Sequence, residues 1–249
     1  MSKIFEGVLI ASDVDGTLTP GDLYISERNY EAIKYFTDNG GMFTVATGRM
    51  ASYMKEKFPR LIINAPVSAV NGTMVSDIET GEILWKRPMN ESYIPMIETV
   101  KELCTPLILQ LFDDFGTVSG YEYDKNVMYN KMLCVTKTEQ DALMMKARFE
   151  KEFPRLYFSR SWDTGFEATD INAHKGETLK EIKRITNAKI TVGIGNYEND
   201  DTLIKEADFG VAVSNSIQSI KNAADFVTEN DAEFAVAELI EKLPKLLNL

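Results

Sequence analysis

Two aspartates, Asp13 and Asp15, stand two apart at the end of an apolar run in "IASDVDGTLTP", residues 10 to 20. Side chains at i and i+2 of an extended segment point the same way, about 6–7 Å apart along the chain. That spacing suits two carboxylates with separate duties around one phosphoryl group or metal ion. Gly16 lets the chain turn sharply behind them, and Thr17 and the nearby amides can donate hydrogen bonds to an anion. Like charges this close would push one pKa upward. A divalent cation at Asp13 would keep that carboxylate ionised and nucleophilic, leaving Asp15 to hold or exchange a proton as acid and base. Taken alone, Asp-x-Asp-Gly fits a calcium-type turn or a solvated loop as well.

Other chemically useful residues fall where a parallel sheet would gather them. Thr47 closes a second apolar run, Asn196 and Asp200 follow a third at 190–195, and Lys175 opens an amphipathic segment. Ligands of open parallel sheets bind at the carboxyl ends of the strands. Each residue also has a plainer reading. Lys175 alone fits a solvated lysine at a helix start, and Thr47 carries weight only by context. Arg49 suits either a phosphate contact or a pairing with a core acid. Asn71 suits the rim of a site or, better, a turn with Gly72. His174, the one histidine, reads as a bystander beside Lys175.

The elements that must position these groups follow from periodicity. Val8 to Ser12 suits a strand buried on both faces. Ser26 can cap a helix with Tyr30, Ile33 and Phe36 on its apolar side, ending at Asn39-Gly40-Gly41. Residues 42–47 predict a strand, 48–58 a helix and 66–72 a third strand of the same parallel sheet. The rhythm changes near Ile83. Helices are expected over 91–103 and 139–153, with strands at 107–113, 116–121 and 127–136 and two more within 155–169. The parallel pattern then resumes, with a helix at 175–185, a strand at 190–195, a short helix from Asp200, a strand at 209–213 and a final helix over about 231–247. The expected fold class is α/β: a Rossmannoid parallel-sheet core from 1–84 and 170–249, with a smaller α+β unit inserted at 85–169.

A formal charge of −11 argues against nucleic acid or an anionic membrane as a partner, and an anionic substrate would need a local positive site. Cys104 and Cys134 lack metal or disulfide-framework spacing and read as reduced thiols. No stretch approaches the roughly 18–20 apolar residues of a membrane span. The expected setting is cytoplasmic.

Taken together, the motifs resemble the haloacid dehalogenase superfamily, specifically its Cof-type phosphatases with a class IIB cap inserted after the second motif. "DVDGTL" resembles the first motif, "ATGR" (46–49) the second, "HKGETL" (174–179) the third and "GIGNYENDDTLIKEADFGVAVSNS" the fourth with its downstream strand. "AVNGTMVSD" (69–77) and "AADFVTENDAEFAVAELI" (223–240) are similar to that subfamily too, whereas the cap matches only in length and outline. The resemblance implies that Asp13 attacks phosphorus and forms an aspartyl-phosphate. Asp15 then acts as acid and base, Thr47 hydrogen-bonds the phosphoryl oxygens, and Lys175 neutralises them. It implies magnesium at Asp13, Asp15 (through its backbone carbonyl), Asn196 and Asp200. Gly16, Thr17, Gly48, Arg49 and Asn199 are expected to bind phosphate or substrate.

The expected reaction is magnesium-dependent hydrolysis of a small phosphorylated metabolite, a sugar phosphate being the favoured type. A phosphomannomutase-like mutase is the alternative. A weakly catalytic phosphate- or metal-binding protein is another, because Asn196 stands where the Cof pattern has Asp. Asp200 and Asp201 are expected to compensate in part for the missing charge. Lys125, Lys131, Arg160 and Trp162 are cap residues that could touch substrate, although surface or packing roles suit them better. Oligomeric state is not legible in the sequence.

Overall fold

The computed structural model describes residues 3–21, 24–91, 93–103, 108–116 and 118–249. Cys104 lies outside them. The chain divides into two compact units, Met1–Trp85 with Lys175–Leu249, and Lys86–His174. The return to the first unit falls at 174–175, where the sequence predicts it at 169–170.

The first unit is built from β1 (Val8–Ser12), α1 (Glu27–Asp38), β2 (Met42–Val45), α2 (Ala51–Lys57), β3 (Val67–Ala69), β4 (Met74–Ser76) and β5 (Ile83–Lys86), whose last residue opens the second unit. The second unit holds α3 (Tyr93–Leu103), β6 (Ile108–Phe112), β7 (Val118–Ser119), β8 (Lys131–Val135), α4 (Glu139–Glu152), β9 (Leu156–Ser159) and β10 (Gly165–Asp170). The first unit resumes with α5 (Lys175–Thr186), β11 (Ile190–Gly195), α6 (Asp201–Glu206), β12 (Phe209–Ala212), α7 (Gln218–Ala223), β13 (Phe226–Val227) and α8 (Ala235–Leu246).

A five-stranded sheet, ordered β13–β12–β11–β1–β2, is parallel at every pairing. The unbroken apolar run of β1 has the cause expected of it, since every residue of the strand is buried. Val8 and Ile10 pack with Ile33, Phe36, Val236 and Leu239 of α1 and α8. Leu9 and Ala11 turn the other way, to Leu179, Ile182 and Leu203 of α5 and α6. Burying a Leu, Ile or Phe side chain contributes about 1.5–3 kcal/mol, so this double-sided packing fixes where β1 ends. Ser26 caps α1 as expected, its hydroxyl accepting from the Asn29 N–H at 3.2 Å.

The segment 66–72 departs from expectation. Only Val67–Ala69 is extended, and it belongs to a separate three-stranded sheet, β3–β4–β5, in which β3 and β4 run antiparallel. An isolated parallel bridge joins Ser68 to Ala46, the residue after β2. The remaining residues, Val70, Asn71 and Gly72, take positive φ and end the strand. Short elements β4, β5, α7 and β13 carry too few residues for a period to show.

The inserted unit has a five-stranded sheet, β7–β6–β8–β10–β9, antiparallel at each pairing. Period-two alternation sends Leu109, Leu111, Met132, Cys134, Phe158, Phe166 and Ala168 into one cluster with Met96, Ile97 and Val100 of α3 and Met145 and Phe149 of α4. Cys134 is a free thiol there, and burial pushes its pKa up, away from reactivity. The expected strand at 127–136 shortens to Lys131–Val135. Among the described residues no helix is long and apolar enough to cross a membrane.

Candidate active site

β1 and β11 run side by side with Ser12 opposite Ile194, so the residues following both strands emerge together. The Asp13 N–H continues the ladder, donating to the Ile194 carbonyl at 2.9 Å. Lys175, at the first position of α5, meets them from the side. Its Nζ donates to Asp13 Oδ1 and to Asp200 Oδ1, both at 2.7 Å. The lysine is wholly buried, as is Asp200, and Asp13 is only 6% exposed.

Burial of three charges needs full pairing, and the lysine supplies it for both acids. Asp200 completes its set through Oδ2, which accepts from the N–H groups of Asn196 and Tyr197 at 2.8 and 3.1 Å. Burial pushes the Asp13 carboxyl up to about 7, the Asp200 charge adds to the push, and Lys175 opposes it. For Lys175, burial alone would lower the pKa. The facing charges of Asp13 and Asp200 outweigh it and hold the ammonium protonated.

Gly16 earns its place twice. Its φ of +81° lies in the left-handed region, and a Cβ there would collide with the Asn196 side-chain amide. Asn196 Oδ1 accepts from Thr17 Oγ1 at 3.2 Å, and the Gly16 carbonyl accepts from Asn215 Nδ2 at 2.9 Å. Gly195 is equally constrained, since a Cβ would run into the Asp200 side chain.

Thr47 is fully buried, one residue beyond the Ala46 bridge. Its hydroxyl accepts from the Arg49 N–H at 3.2 Å. Arg49 itself turns to Asp15, meeting both carboxylate oxygens, and its guanidinium stacks 4.4 Å from the Tyr53 ring centre. The acid that Arg49 meets is exposed, not in the core as the pairing reading has it. The hydrogen bonds to Asp15 raise the pKa of Arg49 further. Asn199 Nδ2 donates to Asn71 Oδ1 at 3.2 Å.

The structure thus brings Asp13, Lys175, Asn196 and Asp200 together, with Thr17 and Gly16 against Asn196. It links Asp15 to Arg49 and Arg49 to Thr47. Asp201, expected with Asp200 to compensate in part for Asn196, forms an exposed pair with Lys205, one helical turn on, at 2.8 Å. Asp200 Oδ2 accepts from both the 196 and 197 amides, whereas Oδ1 accepts from Lys175 and retains a second acceptor site that a cation could use. Within the inserted unit, Lys131 forms a buried pair with Glu167 at 2.6 Å, and Arg160 meets Glu139 at 3.1 Å. Sequence reasoning missed Tyr53 and Asn215. The four-residue spacing from Arg49 to Tyr53 could have found the first, but nothing local marks the second.

The arrangement provides a buried carboxylate beside a lysine, a second carboxylate two residues on, and a set of hard oxygen donors. Those donors are the Asp13 and Asp200 carboxylates and the Asn196 amide oxygen, a chemistry that fits magnesium.

A haloacid dehalogenase-like hydrolase family model matches residues 10–118 and 110–240. The chain belongs to that family, and its parallel core with an inserted cap is the family's architecture. Among curated proteins it is 27% identical over 240 residues to a phosphoglycolate phosphatase of Methanobrevibacter smithii, covering 94% of this chain and 97% of that one. It is 25% identical to the 5-amino-6-(5-phospho-D-ribitylamino)uracil phosphatase YcsE of Bacillus subtilis, covering 93% and 94%. Among solved structures, a haloalkanoate-superfamily phosphatase from Bacteroides thetaiotaomicron superposes with a TM-score of 0.81 at 19% identity, covering 99% of this chain and 97% of that one.

Proposed function

We propose that the chain is a magnesium-dependent phosphatase that hydrolyses a small phosphorylated metabolite through an aspartyl-phosphate on Asp13. The observation that carries this reading is the buried Lys175 bridging Asp13 and Asp200 at 2.7 Å to each. Such a lysine holds a nucleophilic carboxylate in place and offsets part of the negative charge that a phosphate ester would meet there. The relatives named above, both phosphatases, support the reaction class.

In the proposed reaction an Asp13 oxygen bonds to phosphorus as the bond to the leaving oxygen breaks. Asp15 gives that oxygen its proton. Asp15 then takes a proton from water, whose oxygen displaces Asp13 and releases inorganic phosphate. Thr47 and Lys175 hold the phosphoryl oxygens, with Gly16, Thr17, Gly48 and Asn199 shaping the surrounding loops. Arg49 steadies Asp15. Asp13, the Asp15 carbonyl, Asn196 and Asp200 would hold the magnesium ion, Asp200 also anchoring Lys175 and the 196–197 amides. The ion supplies charge neutralisation at the phosphoryl group.

A sugar phosphate is the proposed substrate type. A carboxylated ester, as the first relative's name describes, and a ribityl phosphate, as the second's does, are the competing types. The test is phosphate release from a panel of phosphorylated metabolites with magnesium, using Asp13→Asn as the blank. Release by wild type and none by the variant is expected. Isomerised product without free phosphate would instead identify a mutase, and no turnover of any ester would overturn the proposal.

A further inference from the structure

Val70, Asn71 and Gly72 have φ values of 52°, 56° and 87°, three left-handed residues in a row. Glycine takes this region freely and asparagine tolerates it, but a β-branched valine resists it. Backbone of this kind persists where its surroundings over-determine it, and it clusters at functional sites. Here the surroundings are the turn after β2. The Thr47 N–H donates to the Ser68 carbonyl at 2.9 Å, the Val70 N–H to Arg49 at 3.0 Å, and the Asn71 N–H to Thr47 at 2.9 Å.

The Asn71 side chain goes further than a turn requires. It is 4% exposed, and its Oδ1 accepts from Asn199 Nδ2 at 3.2 Å. The same Oδ1 lies 3.1 Å from where a Cβ on Gly48 would stand. One amide therefore accepts from the loop that follows β11 while lying beside Gly48, close enough to crowd any side chain there. A simple turn with Gly72 would need neither contact.

We infer that Asn71 is a positioning residue, which ties the Thr47–Gly48–Arg49 turn to Asn199 and so sets the phosphoryl-binding hydroxyl of Thr47 against the loop carrying Asn196 and Asp200. The inference rests on the proposed function for its catalytic consequence, though not for the coupling itself. Thr47 and Asn196 come from different strands, and a misplacement of about 1 Å can cost roughly a hundredfold in rate.

The test compares Asn71→Gly, Asn199→Ala and the double variant. Asn71→Gly keeps the left-handed backbone at ease, so the fold should survive, with a modestly lowered melting temperature because a buried hydrogen bond is lost and the unfolded chain gains freedom. Amide hydrogen exchange, read without substrate, should quicken about tenfold or more at Gly48, Arg49 and Asn199, and stay unchanged at 192–194. With magnesium and p-nitrophenyl phosphate, kcat should fall roughly tenfold to a hundredfold with a smaller change in KM. The double variant should lose no more than the worse single one, because both remove one coupling. Wild-type exchange at both loops in Asn71→Gly would overturn the inference, as would fully additive losses. Absence of turnover in wild type would overturn the proposed function, while the exchange comparison would still decide the role of Asn71.

Discussion

Arg49 holds Asp15 by both carboxylate oxygens, with Nε 2.9 Å from Oδ2 and Nη2 2.8 Å from Oδ1. The pair is partly open to water, with side chains 33% and 56% exposed. Exposed ion pairs contribute about 0–1 kcal/mol to stability, so its value lies in direction: a two-pronged grip fixes the plane of the carboxylate as well as its place.

Lysine is a point charge and cannot reproduce that grip or the stacking on Tyr53. Arg49→Lys should therefore melt close to wild type while kcat on an aryl phosphate falls about tenfold, because the proposed acid–base carboxylate loses its fixed plane. Steady-state kinetics beside a thermal melt check this. An unchanged kcat would reduce the pair to a resting surface contact.

Lys175 is the opposite case, because nothing about its ion pairs is exposed to screening. Replacing it by Met would leave Asp13 and Asp200 facing each other, buried and uncompensated. Breaking a buried pair in this way costs about 3–5 kcal/mol. Denaturant unfolding should show that loss, and it should be larger at pH 8 than at pH 5, where Asp13 can take up a proton. A loss equal at both pH values would mean that the carboxylates are not repelling each other.

The pH response of the metal-free protein follows from Asp13. Its pKa is raised from an ordinary 3.8 to about 7, so the folded state binds this proton more tightly than the unfolded state. The corresponding stability is fully present below the ordinary value and is lost as pH rises through about 7. Magnesium favours the ionised carboxylate, so its stabilising effect should grow between pH 5 and pH 8. Melting curves with chelator and with magnesium measure this directly. Asp13→Asn should flatten both trends, and a magnesium effect that is the same at pH 5 and pH 8 would contradict the assignment.

What the sequence reveals of this site depends on how locally each feature is encoded. Asp13, Gly16, Ser26 and Lys175 are legible because strand ends, sharp turns and helix caps are short-range events. The parallel core is legible because β1 is apolar on both faces. The placement of 66–72 is not legible. A three-residue strand has no period, and its sheet is chosen by pairing with Met74–Ser76 rather than by its own residues. The partner of Arg49 is likewise a matter of approach. An arginine near two acids has several it could meet, and only the turn after β2 aims it at Asp15. Asp201 shows the converse: its helical i,i+4 pairing with Lys205 is visible in the spacing alone.

Asn196 is where the chain departs from the Cof pattern, and its surroundings suggest what the departure does. Its neighbours include Asp200, whose Oδ2 accepts from its own backbone N–H, and Thr17, whose hydroxyl donates to its side-chain oxygen. An aspartate at 196 would keep the acceptor for Thr17 and add a third carboxylate beside Asp13 and Asp200. Without a cation that charge is repelled, so Asn196→Asp should be less stable than wild type in chelator. With magnesium the sign reverses. An added ligand charge that gains about 1.4 kcal/mol tightens binding tenfold, and desolvation offsets part of the larger Coulomb term. Calorimetric titration with magnesium alone should thus give Asn196→Asp an affinity about tenfold above wild type, while its melting temperature in chelator falls. Equal affinities would show that the amide oxygen already serves as well as a carboxylate, and the weaker metal binding argued from Asn196 would be lost.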